Sequence, residues 1–303
     1  MKVKHLFLFP LVAILLVGCN QGNNPGGNTP HEEDYSDTFV DDRTGVITDN
    51  SGYYKDKGYT VNFEDRGTAL RSKLHNLMID THTTYTTYSI FKNTDTYKKT
   101  SLDPKDLKIV YFYTGKKVSS YGGSREHVWP CANSNTLWGR GQDGSDIGED
   151  YQGGGSDMYH IMPCDSGINT ARANNKFTEF DATSSFVYKG DGGPNRLKVD
   201  SQGKRVELPD CFKGDAARII CYLWIHYNPF GKENQYTGNL PLMNVVDAPD
   251  GYTIEETLAK WNAMDPVDDM ELRRNEEVMK VQGNRNPFID HPEFVWKMFN
   301  LGD

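Results

Sequence analysis

Two short segments carry the residues with the most chemistry. SREHVWP, Ser124 to Pro130, sets a carboxylate (Glu126) directly before an imidazole (His127), and DMYHIMPCDSGINTARANN, further along, supplies a carboxamide (Asn169) and a guanidinium (Arg172) at a spacing of three. Cleaving a phosphodiester with a metal calls for a hard cation on oxygen ligands, a neutral base to activate water, and positive charge over the phosphate. Mg²⁺ keeps several of its waters, so two protein oxygens, from Glu126 and Asn169, suffice to hold it. His127, with an ordinary pKa near ~6.5, is the base this set provides. A zinc peptidase would need two histidines and a glutamate in an HExxH helix, and the chain has none.

These residues need elements that bring them together. On a regular strand Glu126 and His127 point to opposite faces, so both serve one site only if the strand bends or ends, and Pro130 is consistent with an end. A bare Glu-His pair is otherwise a solvated surface feature. Asp165-Ser166-Gly167 reads as a helix start, placing Asn169 and Arg172 on one face. A short crossing strand, Met158 to Met162, precedes it. A strand bearing histidine, a crossing strand and a ligand-bearing helix make a ββα-metal arrangement. The plainer alternative for Asn169 and Arg172 is an ordinary polar helix face.

Around this unit the apolar spacing of Leu70, Leu74, Leu77 and Met78 predicts a helix over Gly67 to about Thr81, with His75 on its flank. Alternation from Leu107 to Tyr113 predicts a strand. Asp210 to Tyr227 is apolar on most faces, as a buried helix is. Thr253 to Glu256 forms a capping box, and Asp265-Pro266 begins another helix ending near Gly283. The class is α+β, mostly helical with a small ββα-metal core.

The first eighteen residues, with Lys2 and Lys4 before an apolar run and Leu16-Val17-Gly18-Cys19 at its close, resemble a bacterial lipoprotein signal peptide. Cys19 would then carry the lipid and anchor the protein to the membrane on an extracytoplasmic face, at the cell surface or the periplasm. A plain secretory signal is the alternative. Residues 19–52, rich in Asn, Gly, Pro and acid, form a disordered tether. Residues 53–303 are the folded domain. Four cysteines remain there, allowing three pairings, of which Cys131 with Cys164 is favoured because each follows a proline beside a site strand. The net charge of −9 argues mildly against a nucleic-acid binder. A good part of that net charge lies in the tether, however, and Lys116, Lys117, Arg125, Arg140, Arg172, Lys176, Arg196, Lys198, Lys204, Arg205 and Lys213 predict a basic groove.

SREHVWP with DMYHIMPCDSGINTARANNKF resembles the bacterial endonuclease I family of periplasmic and secreted nonspecific nucleases. The likeness extends upstream through GTALRSKLHNLMIDTHTTYTTY and downstream through KGDAARIICYLWIHY to WNAMDPVDDMELRRNEEVMKVQGNRNPFIDHPEF, covering most of Gly58 to Glu293. The resemblance implies that Glu126 and Asn169 hold Mg²⁺, with Mn²⁺ or Ca²⁺ as alternatives, and that His127 is the general base. It further implies nonspecific backbone binding and cleavage of DNA, and RNA as well, to leave 5′-phosphate ends. Arg140, in the loop between the two segments, is the candidate to hold the scissile phosphate, and Arg172 matches the family's helix arginine, which contacts phosphate or holds the site together. Where relatives carry DLHH or DLHN this chain has Asp157-Met158-Tyr159-His160, so Tyr159 replaces a histidine. The Gly-rich loop with Asp143, Asp146, Glu149 and Asp150 is a candidate Ca²⁺ binder or simply a solvated loop. A monomer is expected. The rival is a nucleic-acid-binding surface lipoprotein that has lost turnover.

Overall fold

The computed structural model of the chain describes residues 53–56, 61–85, 105, 108–120, 122–134, 138, 153–190 and 195–301. Cys19, Arg140 and the acidic positions Asp143, Asp146, Glu149 and Asp150 lie outside them. A one-turn helix α1 (Tyr53–Asp56) precedes α2 (Gly67–Thr81), which buries Leu70, Leu74, Leu77 and Met78 as its spacing predicts. His75 is in the core rather than on a flank, with its two ring nitrogens on the Ile225 and Lys232 carbonyls. The predicted strand before the first site segment shrinks to β1 (Ile109–Val110), paired antiparallel with β2 (Lys117–Val118). The chain turns early because Tyr113 adopts a left-handed backbone, φ 72°, and the Gly115 amide closes onto the Tyr111 carbonyl at 2.9 Å.

Strand β3 (Ser124–His127) pairs antiparallel with β4 (Ile161–Cys164), and helix α3 (Ser166–Arg172) follows at once. The crossing strand therefore begins three residues later than its apolar pattern suggests. Met158 to His160 form a turn, because the Met158 amide donates to Gln282 and Arg274 donates to the Met158 and Ile161 carbonyls. A four-stranded sheet not read from the sequence comes next: β5 (Lys176–Phe177), β6 (Phe186–Lys189), β7 (Leu197–Asp200) and β8 (Arg205–Glu207), in the order β5-β8-β7-β6. Only the β5–β8 pair is parallel.

Helix α4 (Lys213–Tyr227) is buried on nearly every face and is packed by α2 and by α5 (Ile254–Met264). Thr253 and Glu256 make the expected capping box for α5. Helix α6 (Asp269–Gln282) starts later than expected. Asp265 caps the end of α5, its carboxylate accepting the Gly214 amide, and Asp268 caps α6 in a second box with Glu271. Gly283 ends α6 at φ 90°, a conformation that favours glycine. Two short helices, α7 (Pro287–Asp290) and α8 (Phe294–Phe299), complete the described chain. The class is α+β, and no described helix is long and apolar enough to cross a membrane. Cys131, Cys164 and Cys221 are buried free thiols, so the Cys131–Cys164 bridge is not formed, and neither is any other pairing of these three.

Candidate functional site

The β3–β4 hairpin sets Glu126 opposite Met162 and His127 opposite Ile161. Helix α3 is started by Asp165, whose carboxylate accepts the Gly167 and Ile168 amides at 2.8 and 3.3 Å. It is then fixed against β3 by its own polar face. Asn169 Nδ2 donates to Ser124 Oγ at 2.6 Å and to the Arg125 carbonyl at 3.2 Å. A carbonyl only accepts, so the amide nitrogen must lie on that side, and the Asn169 oxygen is left with no hydrogen bond among the described residues.

One turn on, Arg172 is fully buried. Its guanidinium donates to the Val128 and Ala173 carbonyls, packs over the Phe177 ring at 4.5 Å, and brings Nε to 3.3 Å from Glu126 Oε1. That approach is too oblique for a hydrogen bond, and Nε has no other acceptor, so the pair is held by charge alone. Of the two roles read for Arg172, phosphate contact and support of the site, this placement suits the second.

Glu126 is itself buried. Tyr113 Oη donates to its Oε1 at 2.6 Å, and its other oxygen carries no hydrogen bond among the described residues. Burial pushes the carboxyl up to about 7, and Arg172 and Tyr113 only partly offset this. The site thus contains a buried carboxyl with one oxygen, and a carboxamide with its oxygen, that take no hydrogen bond among the described residues, both on the β3–α3 unit. Such a pair suits a hard cation.

His127 takes different neighbours. Its Nε2 lies 2.7 Å from the Gly155 carbonyl, which only accepts, so in the neutral ring Nε2 holds the proton and Nδ1 the lone pair. Behind it, 5.0 Å between ring centres, His160 is buried, bonded through Nδ1 to the Gly154 carbonyl at 2.6 Å and through Nε2 to the Trp129 amide at 2.9 Å. Burial drives its pKa well down, so it stays neutral. Gly154 cannot be larger, because an added Cβ would run into the Trp138 indole.

Tyr113, Ser124, Gly155 and His160 were not given roles from sequence. Ser124 and His160, inside the first and second motifs, had a signal; the contact of Tyr113 depends on a turn whose left-handed residue is not a glycine. Tyr159 is turned away into the core, its hydroxyl on Asn275 Oδ1 at 2.7 Å. The basic groove is weaker than its residue count suggests. Lys213 is buried on Glu207 and Asp210, Lys198 pairs with Glu207, and Arg205 pairs with Asp200 and Asp247. Arg196 lies over the Tyr188 ring, while Lys117 and Lys204 remain exposed.

A two-stranded hairpin followed by a helix, with a carboxylate, a carboxamide and an oriented imidazole, fits the ββα class of α+β proteins. A family model for endonuclease I matches residues 66–293, and the chain belongs to that family. It is 33% identical over 273 residues to an extracellular ribonuclease of Bacillus amyloliquefaciens, covering 85% of this chain and 82% of that protein. Its identity to an extracellular ribonuclease of Bacillus subtilis is 32% over 247 residues, covering 76% and 73%. An extracellular deoxyribonuclease of Aeromonas hydrophila is 26% identical over 135 residues, covering 44% of this chain and 49% of its own length.

Proposed function

We propose that the chain is an extracytoplasmic, metal-dependent nonspecific endonuclease acting on DNA and RNA. The observation that carries this is the pairing, on one β3–α3 unit, of Glu126 and Asn169, each with an oxygen that takes no hydrogen bond among the described residues. These two residues would hold Mg²⁺, which supplies Lewis-acid polarisation of the phosphate and charge neutralisation at the leaving oxygen when bound. Tyr113 and Arg172 act one layer behind: the phenol fixes the rotamer of Glu126, and the guanidinium ties α3 to β3.

His127 takes the proton from the attacking water at Nδ1, the nitrogen left basic because Nε2 is bound to Gly155. Water attack with departure of the 3′ oxygen leaves 5′-phosphate ends. Arg140 is assigned to the scissile phosphate. Both kinds of relative, ribonuclease by name and deoxyribonuclease by name, support activity on either polymer, and their extracellular naming supports a site of action outside the cytoplasm. Cys19 is assigned as the lipid anchor, the preceding eighteen residues as signal, residues 19–52 as tether and 53–303 as the catalytic domain, acting as a monomer.

The test is nicking of supercoiled plasmid and cleavage of a structureless RNA, each with Mg²⁺ and with excess chelator. Cutting of both polymers that the chelator abolishes, with ends that a DNA ligase can rejoin, is the expected result. Binding of either polymer without cutting would favour the inactive lipoprotein instead.

A further inference from the structure

Beneath the catalytic loop lies a second polar cluster that the reaction does not use. His82 follows the end of α2, Asp157 lies two residues after the Gly155 that orients His127, and His226 is in the last turn of α4. All three are buried, and one ligand atom from each lies within 4.8 Å of the other two. His82 Nδ1 is 3.2 Å from His226 Nε2 and 3.9 Å from Asp157 Oδ2. In a tetrahedral site with bonds near ~2.0–2.1 Å, neighbouring donor atoms stand roughly 3.3–3.4 Å apart. The two imidazole nitrogens already stand near that spacing, and the carboxylate would have to move inward to reach it.

Charge gives the second argument. Asp157 receives hydrogen bonds from the Tyr222 and Tyr227 hydroxyls at 2.7 and 2.8 Å, from the Tyr159 amide at 2.9 Å and from Gln282 Nε2 at 3.2 Å. All four contacts are donors to its two oxygens, and among the described residues no lysine or arginine pairs with it. A buried carboxylate without a counter-charge is costly. Among the described residues, the basic groups beside it are the two imidazoles of His82 and His226. Neutral imidazoles are the form that binds metals. The His82 ring is further set by stacking on Tyr85, 3.8 Å between ring centres.

We propose that His82, Asp157 and His226 form a structural site for a borderline transition cation of the zinc type, separate from the Mg²⁺ site assigned to Glu126 and Asn169. Two imidazoles with one carboxylate suit Zn²⁺ or Co²⁺ over Mg²⁺, which prefers oxygen and water. Such an ion would stitch together three segments distant in sequence directly below the Gly153–Gly155 turn that positions the base.

The test uses the full chain, stripped with chelator, dialysed and titrated with Co²⁺ while visible absorption is followed. The expected result is a single equivalent bound per chain with the intense bands of four-coordinate cobalt, displaced by Zn²⁺ and not by excess Mg²⁺. The bands persist in Glu126→Gln and vanish in His226→Gln. No stoichiometric cobalt binding by the wild type overturns the site, whatever the variants do. Bands that vanish in Glu126→Gln and survive in His226→Gln also overturn it, by placing the ion in the catalytic centre.

Discussion

Tyr113 bears on Glu126 through a single hydroxyl, and Phe in its place removes one hydrogen bond while keeping the ring in the core. Supporting groups of this kind typically contribute about 10–100-fold in metal affinity or activity. Tyr113→Phe is therefore expected to raise the Mg²⁺ concentration needed for half-maximal cutting by about that factor, with the rate at saturating metal much less affected. A Mg²⁺ titration of plasmid nicking measures this. The elements under the candidate residues were legible: Glu126 and His127 sit on a strand and Asn169 on a helix, as their spacing implied. The environment of each was not, because Tyr113 and Gly155 reach the site through turns that no periodicity announces.

At the scale of elements, the site depends on how α4, α5 and α6 are locked together behind it. Arg218 of α4 donates to Glu271 at 2.6 Å through both Nε and Nη2, to Asp215 at 3.1 Å and to the Asp265 carbonyl at 2.8 Å. One guanidinium faces several carboxyls, so burial and mutual repulsion hold Asp215 well above its ordinary pKa and push Asp265 up to about 7. The folded protein keeps protons there that the unfolded chain releases in the ordinary aspartate range. This contribution to stability is complete in acid below that range and is lost as pH rises through about 7. The melting temperature should accordingly fall as the pH rises from about 4 to about 7, and Asp265→Asn should flatten the slope. Arg218→Met removes the guanidinium that these carboxyls share and is expected to cost about 3–5 kcal/mol in urea unfolding.

Most of these helices could be read in advance, because capping boxes and apolar periodicity are local signals. The start of α6 was misplaced at Asp265 because Asp265 and Asp268 are both plausible caps, and only the bond from Gly214 decides which helix the first one ends. The β5–β8 sheet escaped notice for a different reason. Its strands are two to four residues long, and its outermost strand, β6, is exposed on three of four positions, so it offers little apolar alternation.

Over the whole molecule, a net charge of −9, with Lys198, Arg205 and Lys213 tied up in ion pairs, weakens the grip on a polyanion. Each phosphate contact contributes a salt-exponent of about 0.9 on a duplex. A duplex-binding slope in log Kd against log salt corresponding to only about two to four contacts is expected, measured by fluorescence anisotropy on a short duplex under non-cutting conditions with chelator present. Weak binding of this kind suits an enzyme held where substrate is delivered to it. Cys19→Ser is expected to shift the protein from the membrane pellet to the soluble fraction with its specific activity on plasmid unchanged, which fractionation and a nicking assay read together.

The assignment of His127 as base, beside a cation held by Glu126 and Asn169, is tested most directly by comparing the rate of plasmid nicking at saturating Mg²⁺ for the wild type and His127→Ala. Removing a general base should lower that rate by about 10²–10⁴-fold. The Mg²⁺ concentration for half-maximal cutting should stay where it is, because the metal's own oxygen donors are untouched. Cutting by His127→Ala at the wild-type rate would contradict the account.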